Sequence, residues 1–347
     1  MISKQLGRRR RIEPVFRILV AAFLFGIFCS GAAAADCRPS TSDLEWLGKT
    51  IDVWKKVRSG PLGLPAAKSP WMVLFDKDCV LNLNPDPKFF AVTGTAETLR
   101  LGGDALKVYT ARHAGTIELP NGGRIPAKVI SFAANYNGDR GSFFTAALPS
   151  IWAQAENLRD EPRLPSLIRA VYVHELTHTY HRNVFARLTA IEKQLTDVEK
   201  FDDDIVQNRF GKDAGFRDAY TAEIAMAQQA VSMNPRRDKK QSAKRLLRSI
   251  LDRRAKFYTG ENAKFAEIED IFLTLEGVAN WAGYRAALED GLSSEDAQRL
   301  IRGDGKYWSQ EEGILLFLLI DSLVPNWQKA AFGDGLSIVQ LLERAAS

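Results

Sequence analysis

The spacing of apolar residues changes along the chain and predicts a strand-rich part followed by a helical part. From Ser42 to Val57 apolar residues recur at helical spacing behind a serine cap, which predicts one helix. Between Pro61 and Ile151 the apolar runs are short, and turn signals such as Asn121-Gly122-Gly123 and Asn137-Gly138 separate them, which predicts strands and hairpins. The predicted strands are Trp71 to Phe75, Val80 to Leu83, Leu106 to Tyr109 and Lys128 to Phe132.

The second half of the chain is predicted to be a bundle of helices. From Leu164 almost to Ser347 the apolar residues keep a helical period. The predicted fold class is therefore α+β, with segments 1–35, 36–160 (a helix and a strand-rich subdomain) and 161–347 (a helical subdomain). Glycine and proline mark the expected breaks between helices, at Gly211, Pro235, Gly260, Gly291, 303–305 and Pro325.

The first 35 residues are typical of an export signal. A basic start precedes the apolar run Ile18 to Phe28, and Ala32 to Ala35 supply small residues for cleavage before Asp36. An uncleaved anchor is the alternative, because Ile18 to Ala35 is close to the length that spans a bilayer. We expect a mature chain that begins near Asp36, is periplasmic or secreted, and has no stable insertion in a membrane.

Charge outside the signal gives no overall attraction for nucleic acid. The chain holds 47 Lys and Arg and 42 Asp and Glu, of which the first 35 residues hold six bases and one acid. The rest carries 41 of each and is formally neutral, so nucleic acid is not an expected partner. Arg236 to Lys256 is an exception, since it concentrates ten bases on an amphipathic helix. A solvated outer face is the first interpretation of this helix, and peripheral contact with anionic envelope lipid is the second.

Cys37 and Cys79 are the two cysteines that remain outside the signal. In an oxidising compartment an even pair predicts a disulfide, with two separately buried thiols as the alternative. The bridge would tie the start of the mature chain to the strand-rich part.

The segment His174-Glu175-Leu176-Thr177-His178 carries the candidate chemistry. On a helix, His174 and His178 lie one turn apart on one face, so both imidazoles can bind one tetrahedral zinc ion with Glu175 beside a metal-bound water. Largely apolar neighbours indicate partial burial, and buried imidazoles need a partner. Two surface histidines around a helical glutamate are the alternative.

A catalytic zinc ion usually has three protein ligands, so a third ligand is expected downstream. Metzincins, another class of zinc peptidase, have a glycine seven residues and a histidine ten residues after the first motif histidine. This sequence has His181 and Val184 at those positions, so the metzincin pattern is absent. His181 shares the face of the two motif histidines but lies a further turn along. Glu223 and Glu269 are candidates from other segments.

Glu276 is the strongest candidate for the third ligand. It is the only charge between Ile271 and Gly283, where a lone carboxylate needs compensation. The small residues Gly277 and Ala279 beside it would let its helix approach the motif helix closely. A metal ion bound by both helices requires such an approach.

With Glu276-Gly277-Val278-Ala279, the sequence resembles the gluzincins, which are zinc peptidases with HExxH on one helix and a glutamate on the next. The resemblance covers roughly residues 140–345. It implies a zincin-like fold, one zinc ion per chain held by His174, His178 and Glu276, and Glu175 as the general base. Asn280 departs from the many members that have an aspartate here to orient a zinc-bound histidine. An amide also accepts the imidazole N–H, but it raises ligand basicity less.

Peptide hydrolysis also needs a group that stabilises the oxyanion. Tyr284 and Tyr307 are the first candidates for this role, with His113 behind them. Gly141 to Trp152 is predicted to be a strand near the motif helix, where gluzincins present an edge strand to peptide substrates. An ordinary strand of the sheet is the alternative.

The sequence thus predicts an exported zinc-dependent metallopeptidase that hydrolyses peptides or proteins by zinc-activated water, with Glu175 as the general base. One alternative is a gluzincin-like protein that binds peptides or envelope components without hydrolysing them. Another is a structural envelope protein with a chance motif. Intact Glu175 favours the enzyme, because a protein that only binds has no need of the base.

Overall fold

The structure of the protein is a computed structural model. It describes residues 37–65, 70–86, 88, 94–136, 141–156, 158, 160–195, 201–302 and 305–347. The predicted signal, with its alternative as an anchor, and the Asn137-Gly138 turn lie outside these residues.

The described residues form an α+β fold, which confirms the predicted class. Helix α1 precedes a strand-rich part, and the chain from residue 164 is mainly helical. The strands are β1 (Trp71–Phe75), β2 (Cys79–Leu83), β3 (Thr95–Leu101), β4 (Asp104–Arg112), β5 (Thr116–Glu118), β6 (Arg124–Pro126), β7 (Ser131–Tyr136) and β8 (Gly141–Ala147). The helices are α1 (Thr41–Ser59), α2 (Pro149–Trp152), α3 (Leu164–His178), α4 (Arg182–Glu192), α5 (Ile205–Phe210), α6 (Ala214–Ser232), α7 (Arg236–Phe257), α8 (Phe265–Glu289), α9 (Ser294–Arg302), α10 (Trp308–Leu323) and α11 (Ile338–Ala346), with a 3₁₀ turn at Gly260–Asn262 and a π turn at Lys329–Gly333.

Six strands form one sheet in the order β3-β4-β2-β1-β8-β7. Strands β1 and β8 run parallel, and the other neighbours are antiparallel. The prediction that 141–152 supplies the edge strand was wrong, because β8 lies between β1 and β7 and a short helix follows it. Every residue of β8 is buried, as expected of an interior strand, whereas the middle of β7 is partly exposed. The edge strand next to β8 is therefore β7, and β3 forms the opposite edge of the sheet.

Helix α3 is attached to strand β8 at two points. The Tyr172 hydroxyl donates to the carbonyl of Ala147 at 2.8 Å, and the Ser142 hydroxyl donates to the carbonyl of Thr179 at 3.0 Å. The second hydrogen bond is made to a carbonyl just past the end of α3. The Thr179 hydroxyl itself donates to the carbonyl of Leu176 in the last turn. The helical period predicted no break here, but α3 ends at His178 and α4 begins four residues later.

Helix α8 is buried along almost its whole length and packs against both α3 and α10. At Gly277 a Cβ atom would lie 2.7 Å from the carbonyl oxygen of Gly313, which belongs to α10. At Gly283 it would lie 3.0 Å from the carbonyl oxygen of Ala170, which belongs to α3. The expectation that Gly277 brings the two motif helices together was therefore wrong, because Gly283 makes the close approach to α3.

One hydrophobic cluster joins the strand-rich part to the helical part. It includes Leu74 of β1, Phe144 of β8, Tyr172 of α3 and Trp281 of α8, all almost completely buried. A second cluster surrounds Phe216 near the C-terminal end of α7. In the part of the chain that the structure describes, no helix has the length and apolarity needed to cross a bilayer.

The predicted disulfide between Cys37 and Cys79 is confirmed, with the two Cα atoms 5.7 Å apart. It ties the segment before α1 to the first residue of β2. The bridge encloses a long loop, because the two cysteines are 42 positions apart in the sequence.

Replacing both cysteines with alanine should lower the free energy of unfolding by up to about 4 kcal/mol, because the unfolded chain gains the entropy of an open loop. Urea unfolding of the wild type and the double variant measures this difference. A reducing agent should shift the wild type towards the variant and leave the variant itself unchanged. Equal stability of the two oxidised proteins would contradict the prediction.

Candidate metal centre

Two crossing helices carry the candidate ligands. Helix α3 contributes His174, Glu175 and His178 from its last turns, and α8 contributes Glu276 from its middle. The close contact at Gly283 holds the two helices together about two turns beyond Glu276. Local helical spacing places the histidines on one face, and the crossing places the glutamate opposite them.

Three acceptor groups converge at this crossing. The Nε2 atoms of His174 and His178 are 2.9 Å apart. The Glu276 carboxylate oxygens lie 3.4 Å from His174 Nε2 and 3.5 Å from His178 Nε2. In tetrahedral zinc sites with bonds of about 2.0–2.2 Å, ligand atoms are roughly 3.3 Å apart. In this triangle of groups, the two histidine–carboxylate distances match that spacing, each to a different oxygen of Glu276, while the two nitrogens lie closer together than it requires.

Asn280 determines which nitrogen of His174 faces the crossing. Its Oδ1 atom lies 3.0 Å from His174 Nδ1, and its Nδ2 donates to the carbonyl of Gln310 at 3.4 Å. With the amide oriented in this way, His174 Nδ1 donates its proton and Nε2 carries the lone pair. Asn280 therefore takes the place that the resemblance implies, as the acceptor for the N–H of a candidate metal-binding imidazole.

Burial keeps both imidazoles in the neutral form that binds metals. It lowers the pKa of His178 to about 3. It also lowers the pKa of His174 well below the usual value, and the neighbouring His178 adds to this effect. Because His174 Nε2 and the Glu276 carboxylate are acceptors, the triangle holds more lone pairs than protons. A cation at its centre satisfies them, so the residues present fit a zinc ion.

Glu175 connects the motif to the edge strand. Its side chain is only 6% exposed, and it accepts hydrogen bonds from the Ser131 side chain and the Ala133 backbone, both on β7. Burial raises the pKa of Glu175 to about 7, and these hydrogen bonds oppose the increase. A carboxyl group with a pKa near neutrality can both accept and release a proton at neutral pH.

The candidate ligands open into a cavity of about 650 Å³. Strand β7 forms one wall, and the others are formed by residues of α3, α4, α8, α9 and α10, of the segment before α5 and of the turn between β5 and β6. Among the described residues that line it, the charged side chains are all acidic: Glu175, Glu192, Asp202, Asp203 and Glu276. The cavity therefore favours cations and disfavours anionic side chains.

The rival ligands Glu223 and Glu269 are not at this site. Glu223 accepts from Arg253 at 2.8 Å, and Glu269 accepts from Arg253 at 2.9 Å and from Arg254 at 2.7 Å. All four side chains are at most 8% exposed. Their carboxylates neutralise buried guanidinium groups, so the structure favours Glu276 as the third ligand. Two of the ten bases predicted for a solvated helix are therefore buried.

His181 lies in the turn between α3 and α4, beyond the end of the motif helix. Its ring stacks on Phe332 with centroids 4.9 Å apart, and it is absent from the described lining of the cavity. Burial lowers its pKa well below the usual value, and His178 adds to this effect. The break after His178 thus leaves the His181 ring beside that of His178, with centroids 5.7 Å apart, but outside the described lining of the cavity.

The structure does not bring the candidates for oxyanion stabilisation to the cavity. None of Tyr284, Tyr307 and His113 belongs to the described lining. The Tyr284 hydroxyl is 2.9 Å from Ser294 Oγ, His113 Nε2 is 3.0 Å from a backbone carbonyl, and Tyr307 precedes α10. Tyr284 is eight residues after Glu276, which corresponds to about 12 Å along a helix. That distance explains why it does not reach the ligands.

Sequence reasoning missed Ser131 and Gln310. Ser131 lies at the end of a predicted strand run, and nothing in that run indicates contact with Glu175. Gln310 contributes a backbone carbonyl, which any residue type has. Asn280, in contrast, was identified through the resemblance to gluzincins, because it stands where many of them have an aspartate four residues after the ligand glutamate.

Glu312 has a fully buried carboxyl group. It lies near the buried ion pairs of Arg253 and Arg254 with Glu223 and Glu269, which we call the Arg253 network. Burial raises its pKa to about 8, and the nearby charge of Glu223 adds to this effect. A glutamate with a raised pKa binds its proton more tightly in the folded state than in the unfolded state. The free energy of unfolding therefore falls as pH rises from the ordinary glutamate value to about 8.

Glu312→Gln should reduce this fall in stability by about 1 kcal/mol or more between pH values of roughly 5 and 8, because the amide does not titrate. Urea unfolding across that range, with a chelator present to remove metal effects, measures the difference. Glu295→Gln on α9 is the control, since that side chain is 83% exposed. An unchanged pH dependence in Glu312→Gln would show that Glu312 does not hold the proton.

Comparisons with protein-family models, with curated proteins and with solved structures find no match to this chain.

Proposed function

We propose that this protein is an exported zinc-dependent metallopeptidase. One observation supports the proposal above all others: the Nε2 atoms of His174 and His178 and the carboxylate of Glu276 lie within 3.5 Å of one another. Beside them Glu175 is buried and faces a cavity with an edge strand in its wall. The donor set, the adjacent base and the open cavity together correspond to a hydrolytic zinc site.

His174, His178 and Glu276 would hold the metal, and Asn280 would keep His174 in the binding tautomer. When bound, zinc lowers the pKa of water and polarises a carbonyl group. The two neutral histidines and one carboxylate leave a net positive charge, which favours both effects. Part of the cavity wall is apolar, and it is formed by Phe272 and Leu275 of α8 and Phe185 of α4. These side chains reduce the access of bulk water.

Glu175 would move the proton. Its carboxylate accepts a proton from the attacking water and delivers it to the amide nitrogen of the leaving peptide. The pKa of about 7 suits both directions of transfer at neutral pH. Its hydrogen bonds to Ser131 and to the Ala133 backbone hold the carboxylate beside β7.

Strand β7 would bind the substrate backbone. Among the described residues, β7 pairs with β8 alone, so its other edge is available to add a strand from a peptide. Main-chain pairing binds many sequences, and the acidic cavity disfavours acidic side chains among them. The disulfide fits an oxidising compartment, so peptides and proteins outside the cytoplasm are the proposed substrates.

Purified wild-type protein should contain about one zinc ion per chain, and Glu276→Gln should weaken zinc binding at least about tenfold, because an uncharged amide is a poorer ligand. Atomic emission measures zinc content, and competition with a chelator measures affinity. Glu192→Gln is the matched control, since it removes another carboxylate of the cavity lining and should retain zinc. His174→Ala should bind no zinc. The metal site would be contradicted if wild-type protein, purified without chelators, contained no metal.

Glu175→Gln should retain zinc and fold while losing at least about 10²-fold in hydrolysis rate, because it removes only the proton acceptor. The assay offers unfolded protein and a mixed peptide library, with products measured by mass spectrometry. Glu192→Gln should cleave like the wild type. Equal cleavage by wild type and Glu175→Gln would exclude Glu175 as the base. Zinc in both proteins with cleavage by neither would favour the alternative, a peptide-binding protein without activity.

A further inference from the structure

One face of α7 is strongly basic and lies on the surface of the protein. Arg237, Lys240, Lys244, Arg248 and Leu251 fall within an arc of about 80° around the helix axis, and we call these five residues the outer face. All except Lys240 are exposed, and Lys240 is half-buried. The arc extends for about four turns.

The opposite side of α7 holds the helix in place. Ala243, Leu246 and Ile250 are fully buried there, and α7 packs on α6 and α11. Arg253 and Arg254 on that side are paired with buried carboxylates. The orientation of the helix is therefore determined by its packing, and the outer face has to point towards solvent.

The cations of the outer face are poorly matched by acids. Among described residues, no carboxylate forms an ion pair with Lys240, Lys244 or Arg248, and Arg237 pairs only with its neighbour Asp238 at 3.5 Å. The 236–256 segment holds ten bases and two acids, whereas the rest of the chain after residue 35 holds 31 bases and 39 acids. A formally neutral protein thus concentrates its positive charge on one helix.

Leu251 distinguishes this face from an ordinary solvated one. Its side chain is 44% exposed, the one large apolar side chain in the described part of the chain with that much exposure. It lies one turn from Arg248 and two turns from Lys244. The boundary between lipid headgroups and acyl chains accommodates both groups, because phosphates bind the cations while the apolar side chain leaves water.

We propose that the outer face of α7 docks on the surface of an anionic phospholipid bilayer. The contact is peripheral, since the apolar side of α7 is already buried in the protein. A nucleic acid would also attract the cations, but its phosphate backbone offers Leu251 no apolar environment. None of the described residues that line the cavity belongs to α7, so docking leaves the cavity open.

The test uses sedimentation of the processed protein, which begins near Asp36, with vesicles. We expect binding to vesicles of phosphatidylglycerol and phosphatidylethanolamine, none to phosphatidylcholine vesicles, and weaker binding as salt rises from about 50 to about 300 mM. Lys244→Glu/Arg248→Glu should weaken binding at least about tenfold. Lys49→Glu/Lys77→Glu is the matched control, because it makes the same change in charge at exposed residues on other elements and should keep binding. Circular dichroism verifies that every variant is folded.

Leu251→Gln separates a membrane from other polyanions. It should weaken vesicle binding about threefold or more while leaving any binding to a double-stranded oligonucleotide unchanged. Failure of the wild type to sediment with anionic vesicles would overturn the proposal, as would an equal loss in the control variant. Vesicle binding that is insensitive to Leu251→Gln, with equally tight binding to the oligonucleotide, would identify a general polyanion site instead. None of these measurements uses hydrolysis or zinc, so the result is independent of the proposed function.

Discussion

The crossing of α3 and α8 is the constraint on which the candidate site depends. Two helices approach this closely only where a side chain is absent, and Gly283 provides that position against the backbone of Ala170. The approach places the Glu276 carboxylate within 3.5 Å of two imidazoles, and each of the three side chains is at most 12% exposed. Such a concentration of acceptors is unfavourable by itself, because each has lost its hydration. Under the proposed function, a cation shared by all three groups would compensate for this cost.

Helix α8 is fixed along its length by two different kinds of polar contact. Glu269 and Glu276 are seven residues apart, so they lie two turns apart on nearly the same face. Glu269 is held by two buried arginines of α7, while Asn280, one turn after Glu276, is held by the backbone of Gln310. A shift of α8 along its axis would break both contacts. The pairs of Arg253 and Arg254 with Glu269 therefore help to position the candidate ligand Glu276, which they do not touch.

Local sequence pattern predicted the features that depend on spacing within one element, and it failed where distant segments decide. The histidine pair, the lone charge at Glu276 and the cysteine pair are each visible in the sequence, and the structure places them as expected. The end of α3 was not predicted, because the Ser142 hydroxyl of β8, a distant segment, donates a hydrogen bond to the carbonyl of Thr179 there. Tyr284 was a poor candidate because eight residues carry a side chain well beyond the ligands. The burial of Arg253 and Arg254 could not be predicted from local pattern, since their partners Glu223 and Glu269 lie on α6 and α8.

The edge strand and the base are parts of one arrangement. Glu175 accepts its hydrogen bonds from β7, which is also the strand that a peptide would pair with. Under the proposed function, the backbone of a bound peptide is therefore aligned by the same element that orients the proton acceptor. Side-chain recognition is a separate matter, determined by the acidic lining of the cavity. A site built in this way can cleave many sequences, because the groups that act on the peptide bond are positioned by main-chain contacts.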